Sequence, residues 1–112
     1  ISNKRVGIDI EKQREKIKLI APKFTPVEEY KALGNGKDLI RKLTIVWGAK
    51  ESLYKLYGRK GLLFLHDIFV EDFDISAFKT TARVTHDGQL TSYILNFLEF
   101  EGFTCVYAIA HD

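Results

Sequence analysis

The chain has 112 residues, 46% of them hydrophobic and 29% charged, with a net charge of +2. That suits one domain with a modest core, is too apolar for a disordered chain, and spreads its basic residues too widely for a nucleic-acid binder. No apolar run is long enough to span a membrane. Cys105 is the only cysteine, which excludes an internal disulfide and a Cys-rich zinc site. Its apolar, strand-like setting predicts a buried structural thiol. No signal-peptide pattern is present, so a cytoplasmic location is expected. The opening residue, Ile1, is read as a mid-chain start within a longer protein.

From Val6 to Glu11 the chain alternates, with Val6, Ile8 and Ile10 on one side and Gly7, Asp9 and Glu11 on the other. This is a strand pattern, and it points Asp9 and Glu11 the same way, roughly 7 Å apart. Paired carboxylates repel unless water or a cation intervenes, and their oxygens suit magnesium, which commonly takes one or two carboxylates plus substrate phosphates. The charged stretch from Glu11 to Ala21 predicts a short helix or a turn-rich loop. Thr25-Pro26-Val27-Glu28 then reads as a helix start, with Thr25 as cap, Pro26 in the first turn and Glu28 completing a capping box. Phe24 stands before it as a hydrophobic staple, and the helix is expected to end at Gly34-Asn35-Gly36.

A long helix is expected over Lys37 to Tyr57, capped by Gly58. At about 100° per residue, Leu39, Leu43, Val46, Tyr54 and Tyr57 form one stripe, with Lys50 at its centre. A lysine there either snorkels its ammonium past the core or meets an anion. Glu51 and Lys55, four apart, form at least an ordinary helix pair. Gly58-Arg59-Lys60-Gly61 is a basic turn able to approach a phosphate. Leu62 to Glu71 predicts a short strand, a turn and another strand. Thr80 to His86 and Gln89 to Glu99 are strands joined by an Asp87-Gly88 hairpin turn, with Leu90, Ser92, Ile94, Asn96 and Leu98 sharing a face. Gly102 turns the chain into a last strand, Phe103 to Ala110. His66, His86 and His111 are read as surface or turn residues. The expected fold is α+β, a long central helix packed on a mainly antiparallel sheet.

Taken together, Val6-Gly7-Ile8-Asp9-Ile10-Glu11, Phe24-Thr25-x-x-Glu28 and Trp47-x-x-Lys50-Glu51-Ser52-x-x-Lys55 resemble the 4′-phosphopantetheinyl transferase superfamily. Gly58 to Leu65 and the closing Ala108-Ile109-Ala110-His111 are similar to it as well. Trp47 favours the Sfp-type branch over the holo-acyl-carrier-protein synthase branch. The resemblance implies transfer of phosphopantetheine from coenzyme A to a serine of an acyl or peptidyl carrier protein, with adenosine 3′,5′-bisphosphate leaving. It implies Mg²⁺ held by Asp9, Glu11 (directly or through a water) and Glu51. Lys50 and Lys55 would bind coenzyme A phosphates. Glu51, or a water it orients, would take the serine proton, and Lys55 would stabilise the pyrophosphate as charge shifts to the leaving group. The basic and apolar segment Lys12 to Lys23, with Ile17 and Ile20, is the expected carrier docking surface.

Sfp-type enzymes are pseudo-dimers, and this chain resembles only the second half. Residues 1–112 are therefore expected to be one such domain, completed by a missing N-terminal half or by self-association, the former being favoured. The alternative is a non-catalytic half-domain that binds carrier protein or coenzyme A.

Overall fold

The computed structural model describes residues 5–58 and 61–110. Strand β1 (Val6–Lys12) leads through the one-turn helix α1 (Ile17–Ile20) and a 3-10 turn (Ala21–Lys23) to helix α2 (Val27–Ala32). Helix α3 (Leu39–Tyr57) follows, then a helical turn, α4 (Phe64–Asp67), and β2 (Ile68–Val70). A second 3-10 turn (Ile75–Ala77) precedes β3 (Lys79–His86), β4 (Gln89–Phe100) and β5 (Phe103–Ile109). Among the described residues the strands form one antiparallel sheet in the order β1-β5-β4-β3-β2, with α3 packed on one face. The α+β expectation, a long helix on an antiparallel sheet, is met.

The pairing register decides which side chains meet α3. Gly7, Asp9 and Glu11 of β1 stand opposite Ala108, Val106 and Thr104 of β5, which in turn face Leu95, Phe97 and Glu99 of β4. Ala82, Val84, Ile68 and Val70 continue this inner face. Strand β1 is thus turned the opposite way from an ordinary amphipathic strand: its carboxylates look inward. Val6, Ile8 and Ile10 look out, at 47%, 53% and 56% exposure. On β4 the face shared by Leu90, Ser92, Ile94, Asn96 and Leu98 is the outer one, and Tyr93, Leu95 and Phe97 fill the core.

Helix α3 lies very close to the sheet because two glycines remove side chains at the crossing. A Cβ on Gly7 would overlap the Ser52 carbonyl oxygen, and one on Gly48 would stand 2.8 Å from Val106 Cγ2. Gly58 ends the helix in the left-handed region at φ 69°, its N–H donating to the Tyr54 carbonyl, as the cap reading requires. The buried side of α3 is wider than a single stripe and takes in Ile45, Ala49, Leu53 and Leu56, while Tyr54 is exposed.

Three expectations are corrected. Helix α2 begins at Val27 with Pro26 as its cap residue and no side-chain cap; Thr25 Oγ1 has no partner, so no capping box forms. The Pro26 carbonyl instead accepts from Tyr30 N–H. The first half of Leu62 to Glu71 is a helical turn rather than a strand. There Leu63 N–H donates to Asp67 Oδ2 while Asp67 N–H returns to the Leu63 carbonyl, both at 2.8 Å. His66 is exposed, but His86 is half-buried with its ring edge against Tyr57, 5.6 Å between centroids. Arg59, Lys60 and His111 lie outside the described residues. Cys105 is buried, as expected.

The start of α3 is fastened to β4 by a two-pronged ion pair. Arg41 Nη2 and Nε donate to Glu99 at 2.6 and 2.9 Å, and Gln13 Nε2 donates to the same carboxylate at 2.8 Å. The Arg41 hydrogen bond, helped by Gln13, holds Glu99 below its ordinary value of 4.5 despite partial burial. A carboxylate depressed in the folded state adds stability above its unfolded value and loses it as pH falls through the folded one. Glu99→Gln should therefore cost about 1 kcal/mol at neutral pH, the pair being half-exposed. Urea melts at neutral pH and at about pH 3 check this, since the gap between variant and parent should close on acidification. Gly7→Ala should cost more, roughly 1–3 kcal/mol at any pH, because helix and strand must part.

Candidate active site

The inward turn of β1 sets Asp9 against α3. Asp9 is 8% exposed, and its Oδ1 accepts from Lys55 Nζ at 2.9 Å. Lys55 Nζ also donates to the Ile8 carbonyl at 3.3 Å, so one helix lysine grips two groups of the strand. The other oxygen, Asp9 Oδ2, is buried without a hydrogen-bond partner and faces Gly48, where a Cβ would stand 3.7 Å away. Two residues along, Glu11 Oε1 accepts from the Trp47 indole N–H at 3.1 Å.

The electrostatics describe acids crowded together. Burial, then contact with Asp9 and its charge, push Glu11 above the usual carboxylate range, against the pull of the Trp47 N–H; Glu51 adds to the push. Burial and the Asp9 charge likewise raise Glu51, with Lys55 opposing. Lys55 is raised in turn, chiefly by its hydrogen bond to Asp9 and also by Glu51 and Glu11. Asp9, Glu11, Glu51 and Lys55, four of the five residues the sequence reading grouped, therefore share one local field at the edge of the sheet.

Lys50 is elsewhere. It is 0% exposed, so its ammonium does not snorkel to water. Its Nζ donates to the Phe24 carbonyl at 2.5 Å and the Phe64 carbonyl at 3.0 Å, and stands 3.2 Å from Glu29 Oε1 of α2. The anion that meets Lys50 on the apolar stripe is Glu29, inside the protein. Burial pushes Lys50 down and Glu29 up, each opposed by the other's charge. Sequence reasoning missed Glu29, whose partner lies in a different helix. It also missed the Trp47 to Glu11 hydrogen bond, since Trp47 served only as a family marker.

Among the described residues, no three carboxylate, histidine or cysteine side chains already stand together closely enough to enclose a metal ion. The donor chemistry nevertheless fits a hard divalent cation. Every candidate ligand is a carboxylate oxygen, Asp9 Oδ2 is buried with no partner, and Glu11 and Glu51 are raised by burial and by the neighbouring Asp9.

The fold and these residues define a class: an α+β domain whose long helix sets a lysine and three carboxyl groups at one edge of an antiparallel sheet. The model of the 4′-phosphopantetheinyl transferase superfamily matches residues 5–108, and the chain belongs to that superfamily. No curated protein matches the sequence. Domains of this superfamily support phosphopantetheine transfer in general, with coenzyme A as donor and carrier proteins as acceptors. No helix among the described residues is long and apolar enough to cross a membrane.

A cation site leaves a thermodynamic trace. Millimolar Mg²⁺ should raise the melting temperature, by the equivalent of up to about 2.7 kcal/mol at a hundredfold excess over its dissociation constant. Asp9→Asn keeps an acceptor for Lys55 and should abolish that increment. An equal Mg²⁺ shift in parent and variant would remove Asp9 from the ligand set.

Proposed function

We propose that this chain is the catalytic half of an Sfp-type 4′-phosphopantetheinyl transferase, moving phosphopantetheine from coenzyme A to a serine of an acyl or peptidyl carrier protein. The observation that carries the reading is the unpartnered, buried Asp9 Oδ2 beside two raised carboxyl groups, with Lys55 bound to the same aspartate. Asp9, Glu11 and Glu51 would hold Mg²⁺, which would neutralise charge on the pyrophosphate. Lys55, half-exposed, is free to swing part of its hydrogen bonding to the pyrophosphate and to offset negative charge gathering on the departing bisphosphate. Glu51, held above its usual range, is suited to take the serine proton near neutrality, directly or through a water. The serine oxygen bonds to the phosphorus bearing the pantetheine, the bridging P–O bond breaks, and adenosine 3′,5′-bisphosphate departs with the bond's electron pair. Lys50 binds no substrate phosphate in this reading; it braces α2 and α4 against α3.

The carrier protein, an acidic helical domain, docks on the segment from Lys12 to Lys23. Lys12, Arg14 and Lys16 line a cavity of about 330 Å³ with Ile17, Ile20 and Trp47, and Glu11 forms its inner wall. Positive charge with an apolar floor complements such a partner. A second half of the pseudo-dimer covers the outer face of β1, β5 and β4. There Val6, Ile8, Ile10, Leu98, Phe100 and Phe103 are exposed together, whereas the neighbouring strand β3 presents Lys79, Thr81, Arg83 and Thr85.

The test is the mass of an apo carrier protein after incubation with coenzyme A and Mg²⁺, with and without EDTA. A metal-dependent gain of one phosphopantetheine is expected from a polypeptide extended at the N-terminus. The same gain from the 112 residues alone would assign the outer face to a second copy of this chain. No gain from either would leave a half-domain that binds without turnover. In the active form, Glu51→Gln should lower turnover by roughly 10²–10⁴ with the melting temperature nearly unchanged. Lys55→Ala should cost roughly 10²–10³ in kcat. Wild-type turnover in Glu51→Gln would remove the proton-acceptor role.

A further inference from the structure

A buried lysine bound to two backbone carbonyls is an expensive way to join segments, and the identity of those carbonyls is informative. They belong to Phe24 and Phe64, whose rings are the two that flank Trp47, with centroid distances of 5.1 and 5.4 Å. The Trp47 ring is held between them, one in edge contact and the other tilted, and its N–H points at Glu11. Phe24 enters from the loop before α2 and Phe64 from α4, so no single element fixes the two rings relative to each other. The Lys50 ammonium does so, from the same helix that carries Trp47 and Glu51.

We infer that Lys50 is a positioning residue for the cation site, acting through the Phe24–Trp47–Phe64 stack to set the Glu11 carboxylate. This rests on the proposed function only in taking Glu11 as a metal ligand. Groups that orient metal ligands from behind commonly change metal affinity by about 10–100-fold when removed, with no contact to the ion. A plain structural brace would change stability and leave metal affinity alone. Glu29 has the separate task of neutralising the ammonium, because a buried lysine without an anion is unstable.

The two tasks are separable by mutation. Lys50→Met combined with Glu29→Gln removes both charges and so avoids a lone buried ion, but it leaves the Phe24 and Phe64 carbonyls without their common donor. Trp47 is the only tryptophan, so its emission reports the stack directly. The experiment titrates Mg²⁺ alone into the parent, the double variant, Lys50→Met and Lys50→Gln, following Trp47 emission, with cooperative melting as the check on folding. A folded variant should show red-shifted emission and need about tenfold or more Mg²⁺ for half its response. A folded variant with the parent's Mg²⁺ midpoint would overturn the inference. So would a parent whose emission ignores Mg²⁺, or failure of all three variants to fold, since Lys50 would then be a stability residue only. Transfer activity is read separately on the N-terminally extended polypeptide: if that form binds Mg²⁺ yet is inactive, the proposed reaction is refuted and the role of Lys50 stands.

Discussion

The close approach of α3 to β1 is the constraint on which the site depends. Gly7 lets the strand backbone meet the Ser52 carbonyl of the helix, Gly48 makes room for the Val106 side chain of β5, and at that separation Lys55 reaches both Asp9 Oδ1 and the Ile8 carbonyl. A side chain at either glycine would push the helix out by a few tenths of an ångström or more. Hydrogen bonds of 2.9 and 3.3 Å do not survive such a displacement without rearrangement. The acidic cluster is therefore a product of backbone packing first and of side-chain choice second. Arg41 clamping Glu99 and Arg5 donating to the Leu56 carbonyl tie α3 to the strands on either side of the crossing, which keeps its angle fixed.

The chain handles its two buried charge systems differently. Lys50 and Glu29 neutralise each other's charge across 3.2 Å, and the lysine's donors also serve two backbone carbonyls. Breaking one member of such a pair generally costs about 3–5 kcal/mol, because the survivor stays buried and unpaired. Removing Lys50 alone would leave Glu29 of α2 buried without its cation and the Phe64 carbonyl of α4 without its donor. The cluster of Asp9, Glu11 and Glu51 is the reverse. One lysine faces three carboxylates, Asp9 Oδ2 has no donor, and two of the acids are raised. The first system is balanced in charge, whereas the second carries an excess of negative charge.

Much of this was legible in the sequence, for reasons that can be named. The Asp87-Gly88 hairpin and the Gly58 cap were read correctly because each rests on local backbone geometry, positive φ in both cases. The pairing of Asp9 with Glu11 followed from the two-residue strand period, and the place of Glu51 and Lys55 on one helix edge from the helical period. What failed needed partners distant along the chain or local captures that periodicity does not register. The anion for Lys50 lies in another helix, so the stripe could demand an anion but could not name it. The Leu63 to Asp67 turn is held by a carboxylate reaching back to a backbone N–H, in a run whose apolar residues read equally well as a strand. Thr25 carried a cap-like motif, yet Pro26, with extended ψ of 158°, took the cap position one residue later.

The orientation of β1 links the site to the assembly. A strand has two faces and a period of two, so carboxylates turned toward α3 oblige Val6, Ile8 and Ile10 to face the other way. A strand meant for solvent on that side carries polar residues, and β3 does so on this same sheet with Thr81, Arg83 and Thr85. Strand β1 keeps three aliphatic residues there, and the exposed Phe100 and Phe103 rings, 6.2 Å apart, extend the apolar surface across β4 and β5. At about 25 cal/mol per Å², covering these side chains is a larger driving force than any single hydrogen bond in the molecule. The pattern that places Asp9 and Glu11 against the helix thus also leaves an apolar surface on the opposite side of the same strand.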